Sequence, residues 1–553
     1  MTAPVTEAGS AARGSGAGAA ARGSGAGSAA PVRRSPVDLP GPEGDNSIAR
    51  EPLWYAYGAG DDRPEPPSWT WDATPPPDTH VAPAPPTGAG ARTTLPLGTA
   101  GLLERMPFPR VPSARPVPCG PPALAVPDAE RPGRALVTAF GPQRREPENP
   151  YNDHRTYASP RCLFPVHAFV DGGGGDPWRL LEPDLHALTG APESGQIRRI
   201  ALTGRYTAIP AAYQWFRGSL VAIELGIVLR ALGIGLELFG VPAGLRLPDT
   251  GAHALIGELG PERAWEWSLP FVLDLGDPVP AAPAARTHGA PVVTTPRTTG
   301  GPDLVPGGIG AGDPAFADLV RVNRSQTYGG SPVPMTTAVP AGLPSSGRTP
   351  NWAELLWSRH SGRMPRALHG MSGRPARLPA EALHTAMSWL AVPPPGPELA
   401  AAFDAVQVTA VVQGIDGYDD GVHRIEDGTA RLVRADASVP GALEENYGYG
   451  VSPVNGCRIR HAPMTVFFSI RPRELFARLG PAGWGAAQHA CGWAVHGLCL
   501  SAAASGLFAR PVRAFKEIPT QRVIGLDEDE AIVLSAVVGV PQDTGGALLD
   551  LRV

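Results

Sequence analysis

Apolar residues change period along this chain, and the changes mark its elements. From Leu220 to Leu236 the run LVAIELGIVLRALGIGL is apolar on every face and broken only by Glu224 and Arg230. That pattern predicts a helix buried in protein on all sides rather than a membrane span. A second stretch of the same texture, GWGAAQHACGWAVHGLCLSAAASGL, covers 483–507. Shorter β-branched runs predict strands at RCLFPVHAFV (161–170), WRLLEP (178–183), RRIALTG (198–204) and WSLPFVLDLG (267–276). In the second half the same signal appears at VQVTAVVQGI (406–415), MTVFFSI (464–470) and AIVLSAVVGVP (531–541).

The halves repeat each other. Laid without gaps, RYTAIPAAYQWFRGSLVAIELGIVLRALGI (205–234) matches RLGPAGWGAAQHACGWAVHGLCLSAAASGL (478–507), with Arg205 on Arg478 and Gly233 on Gly506. ELFGVPAGL (237–245) and FARPVRAF (508–515) then follow in corresponding places. One buried helix is ordinary core, whereas two in the same relative place point to duplication. The expected fold is α+β: two tandem units, each a small sheet against long helices, joined as an intramolecular pseudo-dimer.

Composition sets the borders. The 68 Gly and 66 Pro among 553 residues are concentrated outside the periodic segments. Residues 1–90 are Gly/Ser/Ala repeats followed by Pro-rich sequence, with too little apolar bulk to offset ordering entropy. They are expected as a disordered extension with two candidate docking islands, LWYAYGAG (53–60) and WTW (69–71). Residues 276–339 read as a Pro/Gly-rich linker. The folded units are then 91–275 and 340–553.

A net charge of −5 argues against nucleic acid as a partner, even though only Lys516 among the 47 basic residues is lysine. The five cysteines form no CxxC pair, so buried reduced thiols are expected rather than a zinc ribbon or a disulfide framework. No apolar signal segment opens the chain, and a cytoplasmic protein is expected.

Candidate chemistry begins at RHSGR (359–363). Arg359, Ser361 and Arg363 alternate directly after an apolar helix, and arginine offers a phosphate planar, multidentate donors. Alone, the stretch is equally a solvated helix end. Glu224 on its apolar helix is costly unless paired, and its expected partners are Arg217 or Arg230. His489 and His496 lack further ligands at suitable spacing, so they are expected as core or interface histidines, and no metal site is expected. LDEDEA (526–531) reads as a solvated turn, and His167 as facing either a ligand or solvent.

In order along the chain, RHSGR (359–363), the 483–507 helix, RPVRAF (510–515), IGLDEDEA (524–531) and VVGVP (537–541) resemble the nitroreductase family, FMN-binding α+β proteins that form domain-swapped dimers. YASPRCLFPVHAFV (157–170) and WRLLEPDLHALTG (178–190) are similar to the branch of that family that oxidises azolines in ribosomally made peptides. No single stretch is specific; the ordered set is.

The resemblance implies an FMN with Arg359, His360, Ser361 and Arg363 at its phosphate and ring edge, and the Arg513–Ala514 backbone near its N5. It implies that Ser159, Pro160, Arg161 and Leu163 reach the same flavin from the other unit. The second unit has only PPPGPELAAAFDAVQV (393–408) in place of SPRCLFP, and the first only LLERMPFPRVPSARP (102–116) in place of RHSGR. One intact and one decayed flavin site are therefore expected.

That branch also carries a Lys–Tyr pair before its long helix, which falls on Arg205–Tyr206. Tyr206 would accept the proton lost from the ring, with Arg205 lowering its pKa by proximity. Arginine itself is too basic to serve. The other reading of GRYTAIP is a strand end with a surface arginine and a packed tyrosine. The implied activity is oxidation of peptide thiazolines or oxazolines to azoles, with a precursor peptide as substrate and a cyclodehydratase as partner. Two further readings stay open: an NAD(P)H-dependent nitro or quinone reductase, and a flavin-poor scaffold subunit of a peptide-modifying complex.

Overall fold

The computed structural model describes residues 90–553 apart from 109–125, 277–312, 341–349, 363–370, 447–457 and shorter breaks, residue 514 among them. The 1–89 extension with its two aromatic islands, and most of the expected linker, lie outside the described residues.

Strands form where the β-branched runs stand. The first half supplies β1 (Arg92–Thr94), β2 (Pro142–Arg145), β3 (His154–Arg155), β4 (Val166–Asp171), β5 (Arg179–Glu182), β6 (Ala187–Thr189), β7 (Arg199–Gly204), β8 (Ala243–Arg246), β9 (Phe271–Leu275) and β10 (Val333–Pro334). The second half supplies β11 (Gln407–Val412), β12 (Gly421–Glu426), β13 (Thr429–Ala435), β14 (Met464–Ile470), β15 (Phe508–Val512), β16 (Ala531–Gly539) and β17 (Leu549–Asp550). Four helices frame the site: α1 (Phe216–Leu238), α2 (Pro314–Arg324), α3 (Trp352–Ser358) and α4 (Gly483–Ala504).

The larger sheet runs β1-β6-β5-β4-β7-β9-β8-β10 and the other β13-β12-β11-β14-β16-β15. With the outer strands β1 and β10 set aside, the two orders are the same. β14 and β16 are buried along their whole length, so their sequences read as unbroken apolar runs rather than alternating ones.

The two long helices cross at the centre. A Cβ on Gly226 would run into His489 O, and one on Gly492 would run into Ile223 O. Only glycine lets the backbones approach this closely. The reciprocal contact sets Gly226 opposite Gly492 and Ile223 opposite His489, which corrects the ungapped register. Arg205 matches Arg471, at the end of the corresponding strand, and not Arg478. Two Ala/Gly-rich helices look alike at several shifts, so texture alone could not choose among them.

The unit borders also need correction. The linker is expected to run to residue 339, but its described part from residue 313 folds onto the first unit. Phe316, Leu319 and Val320 of α2 are buried, and β10 pairs with β8. At the far end β17 returns to the first half and pairs with β2, so the halves interlock. Among the described residues α1 is the single helix long and apolar enough to cross a membrane, and 94% of its apolar window is buried inside the protein.

Candidate functional site

Arg359 is positioned from behind. Asn351 and Glu354 form a reciprocal capping box at the start of α3, and the helix ends at Ser358, so Arg359 leaves in an extended conformation (φ −62°, ψ 121°). Its side chain turns inward and is 2% exposed. Nη2 donates to Arg155 O at 3.0 Å, while Nε and Nη1 have no hydrogen-bond partner among the described residues. Burial lowers its pKa, with the thiols of Cys499 and Cys162 and the carboxylate of Glu146 opposing.

Arg144, on β2, answers from the first half by donating to Trp357 O and, at 3.3 Å, to Arg359 O. Glu146 accepts from Arg144 Nε at 3.1 Å and from Asn149 Nδ2 at 3.1 Å. His154 lies 3.6 Å from Glu146, and burial pushes its pKa down to about 4, so it is neutral at ordinary pH. This clasp was missed in the sequence because polar residues gathered within a loop leave no periodic signal.

The rest of the element lies along β15. Arg510 Nε donates to Ser361 O at 2.6 Å, the His360 ring sits 5.7 Å from Phe508, and Gly362 N–H donates to His360 Nδ1 at 3.1 Å. Arg363 and Ala514 lie outside the described residues. Arg513 is buried, donates to Ile532 O at 3.1 Å, and stands 5.3 Å from the Phe216 ring of the first half. Arg359 bears on the Cys499 thiol and Arg513 on Cys491. On an α-helix those two cysteines are about 12 Å apart. Two cations thus bear on one helix.

The loop from Ser159 to Pro165 reaches this place from the first half. Arg161, Cys162 and Phe164 all have positive φ (51°, 54° and 47°), each costing about 1–3 kcal/mol for a residue with a side chain. Arg161 is exposed, and Ser159, Pro160 and Leu163 are half-buried. Burial raises the Cys162 thiol to about 11 against the pull of Arg359, which sets this loop beside Arg359. RHSG and SPRCLFP, from opposite halves, do meet.

Three expectations fail here. Glu224 pairs with neither arginine: its Oε2 accepts from Ser159 Oγ at 2.6 Å and its Oε1 from Val166 N–H at 3.4 Å. Arg217 pairs with Asp313 at 2.9 Å, and Arg230 bonds to carbonyls. Arg205 does not assist Tyr206. Its Nε donates to the fully buried Glu266 at 2.6 Å, and the matching Arg471 bonds to Asp527, Asp529 and, at 3.3 Å, the buried Glu530. The pair is a strand-end ion pair used twice, and Glu530 is correspondingly not part of a solvated turn. Burial raises the Tyr206 phenol rather than lowering it, and its hydroxyl has no partner among the described residues. Tyr206 packs beside the loop, since Arg205 N–H donates to Pro165 O at 2.8 Å.

Two further histidines pack against core elements. His489 Nδ1 lies 2.8 Å from Ala222 O at the helix crossing, and the His167 ring packs 5.1 Å from Trp267. Among the described residues no cluster of metal-ligating side chains occurs.

The equivalent place in the first unit is closed. β10 covers the outer edge of β8, with Met335 N–H donating to Ala243 O at 2.9 Å. Arg230 fills the space beside it, donating to Ala338 O at 3.1 Å, Trp493 O at 2.9 Å and Trp389 O at 3.1 Å. Its guanidinium lies 5.0 and 5.3 Å from the Trp389 and Trp493 rings, and Trp389 stacks on Phe108 at 5.9 Å. No buried donor of Arg230 is left over.

No family model matches the sequence, and no curated protein matches it. Solved structures do. A crystal structure named as a candidate nitroreductase from Anabaena variabilis aligns over 81% of this chain and 100% of its own, at 15% identity and a TM-score of 0.53. The E. coli microcin synthetase McbBCD complex with truncated pro-MccB17 bound contains a chain matching 34% of this one and 70% of its own, at 14% identity and a TM-score of 0.28. The NADPH:FMN oxidoreductase of Vibrio harveyi complexed with NAD+ matches 35% of this chain and 70% of its own, at 14% identity and a TM-score of 0.23. The first alignment is long enough to span both units.

Proposed function

The chain has a nitroreductase-like α+β fold whose two sheets repeat one strand order. From that premise we propose that it is an FMN-dependent oxidoreductase with a single flavin site between its halves, and that it oxidises peptide thiazolines or oxazolines to azoles. One observation carries the flavin reading: the guanidinium of Arg359, 2% exposed, holds two donors without partners among the described residues, beside the 159–165 loop. Buried donors left unsatisfied are costly, and a phosphate would satisfy them with charge-assisted bonds.

Arg359 and the Ser361 end of the same stretch would hold the phosphate; Arg513 and the 159–165 loop would border the ring. When bound, the flavin supplies an acceptor for hydride, here from the azoline ring. The chain's own work is to orient the ring, exclude water and take up the ring proton. The azoline assignment rests on the sequence resemblance of 157–170 and 178–190, with a precursor peptide as substrate and a cyclodehydratase as partner.

The Tyr206 environment favours a second reading. A buried phenol with a raised pKa is a poor proton acceptor. Nitro or quinone reduction with hydride from NAD(P)H would need no such base on the protein. Turnover of FMN-loaded protein with an azoline peptide, beside Tyr206→Phe, separates the two. Azole formation that falls sharply in the variant supports azoline oxidation with Tyr206 as acceptor. Flavin bleaching by NADPH with no azole formed supports the second.

A further inference from the structure

Glu224 is the buried acid that the proposed chemistry leaves unexplained. It is 0% exposed on a largely apolar helix, and no arginine or histidine lies within ion-pair distance among the described residues. The matching position on α4, by the Gly226–Gly492 crossing, is Ala490. A carboxyl group therefore stands only in the half that carries SPRCLFP, and both of its oxygens are spent on that segment.

The contacts form a chain. Ser159 Oγ donates to Glu224 Oε2 at 2.6 Å and accepts from Phe164 N–H at 2.9 Å, so one hydroxyl ties the two ends of the loop. The Phe164 ring lies 4.2 Å from the Arg155 guanidinium, and Arg155 O accepts from Arg359 Nη2 at 3.0 Å. Between those ties the backbone carries three residues at positive φ, a conformation that persists only when its surroundings impose it.

We propose that Glu224 is a positioning residue: acting through Ser159, it holds the strained 159–165 loop in the shape that, by way of the Arg155 carbonyl, sets Arg359 for the cofactor phosphate. The proposal rests on the reading of this junction as the flavin site. Burial raises the Glu224 pKa to about 8, with the Ser159 and Val166 bonds and the Arg155 charge opposing, so the group is held by hydrogen bonds rather than by a counter-ion.

The test uses the full chain, with two independent readouts on the wild type, Glu224→Ala and Glu224→Gln. One is trypsin cleavage after the exposed Arg161 in flavin-free protein; the other is FMN affinity by titration. Losing one buried hydrogen bond corresponds to a change of about tenfold, so Glu224→Ala should be cut about that much faster and bind FMN that much more weakly. Glu224→Gln, which keeps an acceptor for Ser159, should stay near wild type in both. A folded Glu224→Ala protein with wild-type cleavage and affinity overturns the proposal.

If Glu224→Ala does not fold, Ser159→Ala, at a half-buried position, decides by the same readouts and the same criterion. If wild-type protein binds no FMN, the functional reading fails. The cleavage rates then still decide whether Glu224 braces the loop.

Discussion

The outer edges of the two sheets end in opposite ways. In the first unit β8 is sealed by β10, and Arg230 behind it spends its donors on three backbone carbonyls. In the second, β15 is the last strand among the described residues, RHSG lies along it, and Arg359 keeps two buried donors unspent. Strand order, helix crossing and strand-end ion pairs are common to both units, so none of these makes a site. What differs is what lies on the edge strand and whether its arginine is satisfied. The two larger sheets share one strand order, and the chain covers one of the two edge strands with its own backbone.

The largest expected effect tests the closed side. Arg230→Leu would remove the donor that three backbone carbonyls share and should cost about 3–5 kcal/mol of stability, read as a lowered Tm. Bound FMN per folded chain should not change. A second flavin appearing in this variant would mean that the space is only plugged.

On the open side Arg359→Met should do the reverse. It removes a buried cation with unsatisfied donors, so flavin-free stability should not fall, whereas FMN affinity should drop about 100-fold through loss of charge-assisted bonds. A large fall in Tm with unchanged affinity would show that Arg359 is structural, as Arg230 is.

A pH series sharpens the role of Glu224. Its folded pKa of about 8 lies above that of an exposed glutamate, so its contribution is whole at low pH and fades as pH rises through 8. The Tm of wild type minus that of Glu224→Gln should therefore shrink between about pH 5 and pH 8, by the equivalent of about 2 kcal/mol or more, at about 1.4 kcal/mol per pKa unit. A difference independent of pH would mean that Glu224 does not change ionisation in that range. The smallest effect is expected for the stability of Tyr206→Phe, within about 1 kcal/mol of wild type, because its hydroxyl has no partner to lose.

Periodicity alone located the core of the fold. MTVFFSI is β14 residue for residue, and LVAIELGIVLRALGIGL lies wholly within α1. The register between the repeats was not legible, because it is decided by a backbone contact at Gly226 and Gly492 that leaves no trace in composition. The linker misled for a related reason: β10 is a two-residue strand, too short to show a period, yet it seals an edge.

At the site, Arg359, Ser361 and the SPRCLFP loop were readable as motifs, and Arg359 lies beside that loop. Their supports were not: Arg144, Glu146 and His154 act through tertiary contacts far apart in sequence from Arg359. Arg205–Tyr206 shows the opposite hazard. A motif position looked chemical until a buried carboxylate, Glu266, proved to be the arginine's partner.

Flavin counting tests the central claim most directly. The full-length chain, saturated with FMN and freed of excess, should retain one flavin per polypeptide, and Arg359→Met should retain none. Two flavins per chain, or one that persists in Arg359→Met, would contradict the account.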